Sequence, residues 1–124
     1  MKIIKLKNNF IDKRGSITDI FYDKKFKHVS LILSKTNSVR GNNYFKKNTQ
    51  FIYNLTSDFE YFYKKFNSKH KPKKVTVKKG WILITPPKEA HAIKFKKENK
   101  LFEFSTYSLK KKKKMKDSVK FKVT

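Results

Sequence analysis

In the segment Gly80-Trp81-Ile82-Leu83-Ile84-Thr85-Pro86-Pro87-Lys88-Glu89-Ala90-His91, a glycine opens a short apolar run and two prolines close it. Gly80 supplies the turn into a buried strand, Trp81–Ile84, and the fixed φ of Pro86 and Pro87 sets a bend that turns His91 towards the interior. The chain then alternates, with Ile93 and Phe95 on one face and Lys94 and Lys96 on the other. Working outward, the same period-two pattern recurs about every eight to twelve residues between clusters of Asn, Lys, Ser, Gly or Pro. Candidate strands are Lys2–Leu6, Ser16–Tyr22, His28–Ser34, Val39–Phe45, Gln50–Leu55, Phe59–Phe66, Lys74–Val77, Trp81–Ile84, Ala90–Lys96 and Leu101–Tyr107. About ten short strands with no competing helical period exceed an OB barrel and predict an all-β jelly roll. Asp12-Lys13-Arg14-Gly15 and Lys78-Lys79-Gly80 provide turn chemistry.

The chain has 124 residues, the length of one domain. Its 12 Phe, 6 Tyr and single Trp supply a core of large side chains and exclude a disordered polymer. The longest apolar run is Trp81–Ile84, far short of the roughly 20 residues of a membrane span. No export signal is recognised, so a soluble, cytoplasmic protein without a membrane partner is expected. The absence of cysteine excludes disulfides, thiolate chemistry and sulfur-ligated zinc.

Net charge is +24, which implies attraction to polyanions. Only Arg14 and Arg40 among the 33 cations are arginine, whereas dedicated nucleic-acid readers favour Arg for bidentate contacts. Lys, Asn, Phe, Ile and Tyr, all with AT-rich codons, make up 68 of the 124 residues, so most of the lysine reads as genome composition. The run Lys110–Lys114 is either a tether to an anionic surface or a solvated tail.

Three blocks carry a family resemblance. Gly80, Pro86 and His91 match the second sequence motif of cupins, G-x5-P-x-G-x2-H-x3-N, with Lys88 in place of its second Gly and Phe95 in place of its Asn. Asp12-Lys13-Arg14-Gly15-Ser16-Ile17-Thr18-Asp19-Ile20-Phe21 and Arg40-Gly41-Asn42-Asn43-Tyr44-Phe45 resemble D-x-R-G-x-x-T-E-I-F and R-G-N-H-Y-H. Glu103-Phe104-Ser105-Thr106 resembles a late E-F-S-T strand. In this order they are similar to the RmlC-like cupins, the sugar-nucleotide epimerases and ketoisomerases of polysaccharide biosynthesis. The resemblance implies a cupin double-stranded β-helix over residues 1–109. Residues 110–124 form a Lys-rich segment, either part of the same domain or a frayed tail.

The departures from the family shape the expected chemistry. Where metal cupins carry H-x-H-x3,4-E, this chain has Asn43, Phe45 and Gln50, so His91 alone keeps a ligating side chain and no metal or other cofactor is expected. Asn43 also stands where the resembling enzymes have a proton-abstracting histidine, and an amide cannot accept that proton. His91 is then either a substitute acid/base or a packed remnant of the motif, with Tyr44, Tyr53 and Tyr107 as candidate proton donors. Arg40 either pairs with a sugar-linked diphosphate or closes a salt bridge with Glu60 or Glu103. Arg14 caps its own turn beside Asp12. The candidate ligand-binding set is Arg40, Asn43, Phe45, Gln50, Tyr53 and Tyr107, with His91 as the catalytic candidate.

The expected ligand is a sugar or nucleotide-sugar; an enzyme of this kind would be an isomerase or epimerase. A non-enzymatic polyanion-binding module is the competing reading. Tyr61-Phe62-Tyr63-Lys64-Lys65-Phe66 places Phe59, Tyr61 and Tyr63 on one face and Phe62 and Phe66 on the other. The second face needs covering by another sheet or subunit, which predicts a homodimer.

If the charge reflects composition, binding to duplex DNA should be independent of sequence and fall steeply between 50 and 200 mM salt, as counterion release requires. Fluorescence anisotropy on two unrelated duplexes checks this; a sequence-selective complex that survives high salt would favour the polyanion module.

Overall fold

The structure, a computed structural model, describes residues 1–108, 110 and 116–124. Twelve strands follow in chain order: β1 (Lys2–Lys5), β2 (Phe10–Asp12), β3 (Gly15–Ile17), β4 (His28–Ser34), β5 (Val39–Phe45), β6 (Gln50–Asn54), β7 (Phe59–Lys65), β8 (Lys73–Val77), β9 (Trp81–Thr85), β10 (Glu89–Lys94), β11 (Asn99–Ser105) and β12 (Ser118–Lys120). Four antiparallel pairs, β4 with β11, β5 with β10, β6 with β9 and β7 with β8, form one long hairpin. Its strands are dealt alternately into two five-stranded sheets, β1-β9-β6-β11-β4 and β12-β5-β10-β7-β8. This wrapping is the jelly roll. Among the described residues no helix is long and apolar enough to cross a membrane.

The expected strand Ser16–Tyr22 is corrected to a small hairpin of β2 and β3. Asp12 accepts hydrogen bonds from the Arg14 backbone N–H at 2.9 Å and from its guanidinium at 2.9 and 2.6 Å, closing the turn. Beyond Ile17, side chains replace the ladder: Thr18 Oγ1 bonds Asn8 Oδ1 and the Asp19 N–H bonds Asn9 Oδ1. Phe21 then packs edge-on against Phe26, Phe51 and Phe104 instead of continuing a strand. The strand expected over Leu101–Tyr107 begins at Asn99, paired with Ser34, and stops at Ser105.

Between the sheets lies a core that includes Ile52, Phe59, Tyr61, Val77, Leu83, Phe95 and Leu101. As alternation requires, Tyr63 packs against this core from the same face of β7 as Phe59 and Tyr61, while Phe62 points outward. The cover expected over that outer face from a second sheet or subunit comes from the chain itself. Phe62 joins Ala90, Ala92, Tyr44, Phe121 and Val123, and Tyr44 packs on Phe66 at 5.0 Å. Lys111–Lys114 lie outside the described residues. The C-terminal stretch beyond them is tied down: buried Asp117 accepts the backbone N–H groups of Lys47 and Asn48 at 2.8 and 3.1 Å, and β12 pairs with β5. Exposed apolar side chains gather instead on the outer face of edge strand β4, where Val29, Leu31 and Leu33 are each more than half exposed.

One irregularity shapes the interior. Pairing of β10 with β5 shifts between His91 and Ala92, which face Asn43 and Gly41, so Asn42 is the extra residue of a β-bulge. Gly41 (φ +94°) and Asn42 (φ +55°) both adopt left-handed conformations. A Cβ on Gly41 would lie 2.9 Å from the His91 carbonyl oxygen, so this position needs glycine for both backbone conformation and space. At Lys88, where the cupin motif has glycine, φ is +66°.

Gly41→Ala should therefore destabilise the protein more than Gly80→Ala. Both positions have left-handed φ, +94° and +84°, but a Cβ at Gly80 would meet open space. Left-handed strain alone costs about 1–2 kcal/mol, and urea unfolding should show a further loss of at least ~1 kcal/mol at Gly41. Equal losses would contradict the close approach.

Candidate functional site

Between the two sheets is a cavity of about 350 Å³. Its polar residues include Arg40 and Asn43 on β5, Gln50 on β6, His91 on β10 and Glu103 on β11, with Ser118 and Lys120 contributed by β12. Its apolar wall includes Ile32, Phe45, Ile52, Phe95 and Leu101. Period-two alternation accounts for the lining: Gln50 and Ile52 share the inward face of β6, as Leu101 and Glu103 share that of β11.

His91 is 3% exposed, and its Nδ1 lies 3.0 Å from the Glu89 backbone oxygen. A carbonyl can only accept, so in neutral imidazole that bond assigns the proton to Nδ1 and leaves the lone pair on Nε2. The ring lies between Tyr61, stacked at 5.8 Å, and Phe45 at 6.2 Å. Phe45 thus flanks the imidazole without removing it from the cavity lining. Burial pushes the His91 pKa below its ordinary value near 6.5, opposed by the Glu89 carbonyl bond and the nearby Glu89 and Glu103 carboxylates.

Behind it, the Glu89 carboxylate accepts hydrogen bonds from Tyr61 Oη at 2.8 Å and the Met1 amino group at 2.7 Å. Tyr61 Oη also lies 2.7 Å from Thr85 Oγ1. Burial and the Glu89 charge hold the Tyr61 hydroxyl well above its usual pKa, so it stays protonated.

Of the residues singled out in the sequence, Arg40, Asn43, Phe45, Gln50 and His91 are brought together in the cavity. Tyr53 and Tyr107 are outside its lining: Tyr53 is one residue out of phase with inward Ile52, and Tyr107 lies past the end of β11, its N–H bonded to Asn48 Oδ1. Tyr44 lies with Phe66 and Phe121 on the far face of its sheet. The expected Arg40–Glu60 or Arg40–Glu103 salt bridge does not form. Arg40 donates to Ser34 Oγ at 2.8 Å and to the Leu33 carbonyl at 2.9 Å, while Glu60 pairs with Lys96 at 2.6 Å and Lys74 at 3.7 Å.

Asn43 donates its amide to Ser118 Oγ at 2.7 Å, a contact no pattern in the sequence foretells. Glu103 could have been found as the one carboxylate on the inward phase of Leu101-Phe102-Glu103-Phe104-Ser105. The sequence resemblance aligns Asn43, Phe45, Gln50 and His91 with the ligand positions of a cupin metal site, and an amide, a phenyl ring and a second amide do not suit a divalent ion. Among the described residues no group of three His, Cys, Asp or Glu is placed to ligate one.

No protein-family model and no curated protein sequence matches the chain. Solved structures do. A 3,4-ketoisomerase from Helicobacter canadensis aligns with a TM-score of 0.79 at 15% identity, covering 96% of this chain and 89% of that one. The 3,4-ketoisomerase QdtA from Thermoanaerobacterium thermosaccharolyticum, in complex with TDP-4-keto-6-deoxyglucose, gives 0.77 at 20% identity over 96% and 86%. A dTDP-4-dehydrorhamnose 3,5-epimerase from Sulfolobus tokodaii gives 0.71 at 19% over 90% and 72%. At these identities the likeness shows the fold, a cupin-type jelly roll.

The lowered His91 pKa links stability to pH. The unfolded chain takes up a proton below about pH 6.5 while the folded site resists it, so this contribution is complete above that pH and is lost as pH falls through the folded value. Urea unfolding at pH 7.5 and 5.5 should show a larger acid loss for the native protein than for His91→Gln; equal losses would refute the neutral imidazole.

Proposed function

We propose that this protein binds a nucleotide-activated sugar, of the kind handled by the keto-sugar isomerases and epimerases whose fold it shares, with the sugar inside the cavity and the diphosphate at Arg40. One observation carries the reading: among the described residues Gln50 Oε1 is buried with no hydrogen-bond partner, and Gln50 lines the same cavity as His91. Buried acceptors are normally satisfied, so unpartnered ones lining a cavity of ligand size point to hydroxyls supplied from outside. Arg40 supports the placement of the phosphates. Among the described residues it has no carboxylate partner, and its bonds to Ser34 and Leu33 hold the guanidinium while leaving other N–H groups free. Lys120 adds a second cation to the lining.

Asn43 cannot act as the base, which makes ligand binding the primary activity in this reading and His91 the group through which any proton transfer would run. The polyanion alternative rests on the surface charge and makes no use of the cavity. A homodimer belongs to the proposal through the outer face of β4, the one edge strand of the two large sheets without a lysine.

Thermal shift and calorimetry with dTDP, dTDP-glucose and TDP-4-keto-6-deoxyglucose test it. A ligand at 100 times its Kd should stabilise the fold by about 2.7 kcal/mol. Arg40→Ala should weaken binding about tenfold or more by removing charge-assisted bonds to phosphate. No shift with any of the three, or undiminished affinity in the variant, would overturn the proposal.

A further inference from the structure

Glu103 is the unmet charge of the cavity. It is 7% exposed and lines the cavity from β11, with Ser30 and Ile52 as its ladder neighbours. Among the described residues the ion pairs engage Glu89, Asp12 and Glu60, and Glu103 has neither an ion-pair nor a side-chain hydrogen-bond partner. The lining it shares includes apolar Ile32, Ile52, Ile93, Phe95 and Leu101, and the cations of that lining, Arg40 and Lys120, form no ion pair with Glu103. In such surroundings a carboxylate is costly unless an opposite charge offsets it; hydroxyl dipoles solvate the oxygens but leave the net charge in place. Another acceptor of the lining, Gln50 Oε1, also calls for a donor.

An anion cannot occupy this place, which assigns phosphates to Arg40 and Lys120 and leaves Glu103 to the sugar. A free amine would be repelled by the +24 field, whereas an amine carried on an anionic nucleotide is drawn in by it. Resting on the nucleotide-sugar reading above, we propose that the sugar taken by this cavity bears a protonated amine seated on the Glu103 carboxylate, with Gln50 Oε1 and His91 Nε2 as further acceptors.

The test compares two matched pairs by calorimetry on the full chain: UDP-glucosamine against UDP-glucose, and dTDP-4-amino-4,6-dideoxyglucose against TDP-4-keto-6-deoxyglucose. The amine-bearing member of at least one pair should bind roughly tenfold tighter or more, the gain of a charge-assisted hydrogen bond. N-acetylation of that amine should abolish the gain. Glu103→Gln, which keeps the shape and removes the charge, should bring the pair to within about twofold while retaining dTDP binding. Equal binding within both pairs by the native protein overturns the amine and leaves the nucleotide-sugar reading standing; binding of none of the four overturns both. A preference that persists in a folded Glu103→Gln variant overturns the role of Glu103. Should that variant fail to fold, the native-protein comparison still decides.

Discussion

The site depends on the bulge at Gly41 and Asn42. Gly41 allows β5 to approach β10 so closely that the His91 carbonyl would touch any Cβ, and the extra residue resets the pairing immediately beside the imidazole. The same bulge gathers the end of the chain. The Asn42 carbonyl accepts the Phe121 N–H at 2.8 Å, and its Oδ1 accepts those of Val123 and Thr124 at 2.9 and 3.2 Å. One local backbone irregularity thereby brings Asn43 to Ser118, lays Phe121 and Val123 over Phe62, and adds β12 to the cavity wall. Bulges beside functional sites act in this way because they redirect side chains without breaking the sheet.

Charge is partitioned between surface and interior. The lysines give the exterior its excess of positive charge, and most need no partner because water solvates them. The interior runs the other way: its buried polar groups are mainly acceptors and amides, and its carboxylates are placed individually. Glu89 is enclosed by Tyr61 and the Met1 amino group, Asp117 by two backbone N–H groups, and Glu103 faces a cavity. Two of these three are structural by the count of their partners. The third stands apart because, among the described residues, no ion pair includes it.

Much of the architecture was legible in the chain. Alternation in β6, β7, β8 and β10 put the strands nearly where they lie, because a strand half-buried in a sandwich must repeat every two residues. The motif glycines and prolines announced the turns. The β2–β3 hairpin was less legible, since Phe10 and Ile17 pair on an exposed ribbon whose sequence alternates no better than the loop after it. Tyr53 and Tyr107 were assigned to the site on residue type. Their exclusion rests on a phase of one residue and on the point where a strand ends, and single-residue boundaries depend on tertiary hydrogen bonds such as Asn99 to Ser34.

By itself, the sequence determined the jelly roll, the turn at Asp12–Arg14 and the inward face of β7, for these follow from periodicity and turn chemistry, whereas the meeting of positions 43, 45, 50 and 91 was implied by the resemblance to cupins. Only the tertiary structure decided which partners those residues meet. It turned Arg40 to Ser34 and Leu33 instead of a carboxylate, covered Phe62 with Phe121 and Val123, and, among the described residues, left Glu103 outside every ion pair and Gln50 Oε1 without a hydrogen-bond partner in the cavity that His91 lines. The physical reason is distance along the chain: Asn43 meets Ser118 across 75 residues, and contacts of that separation are set by how two sheets close on one another, which no local pattern encodes.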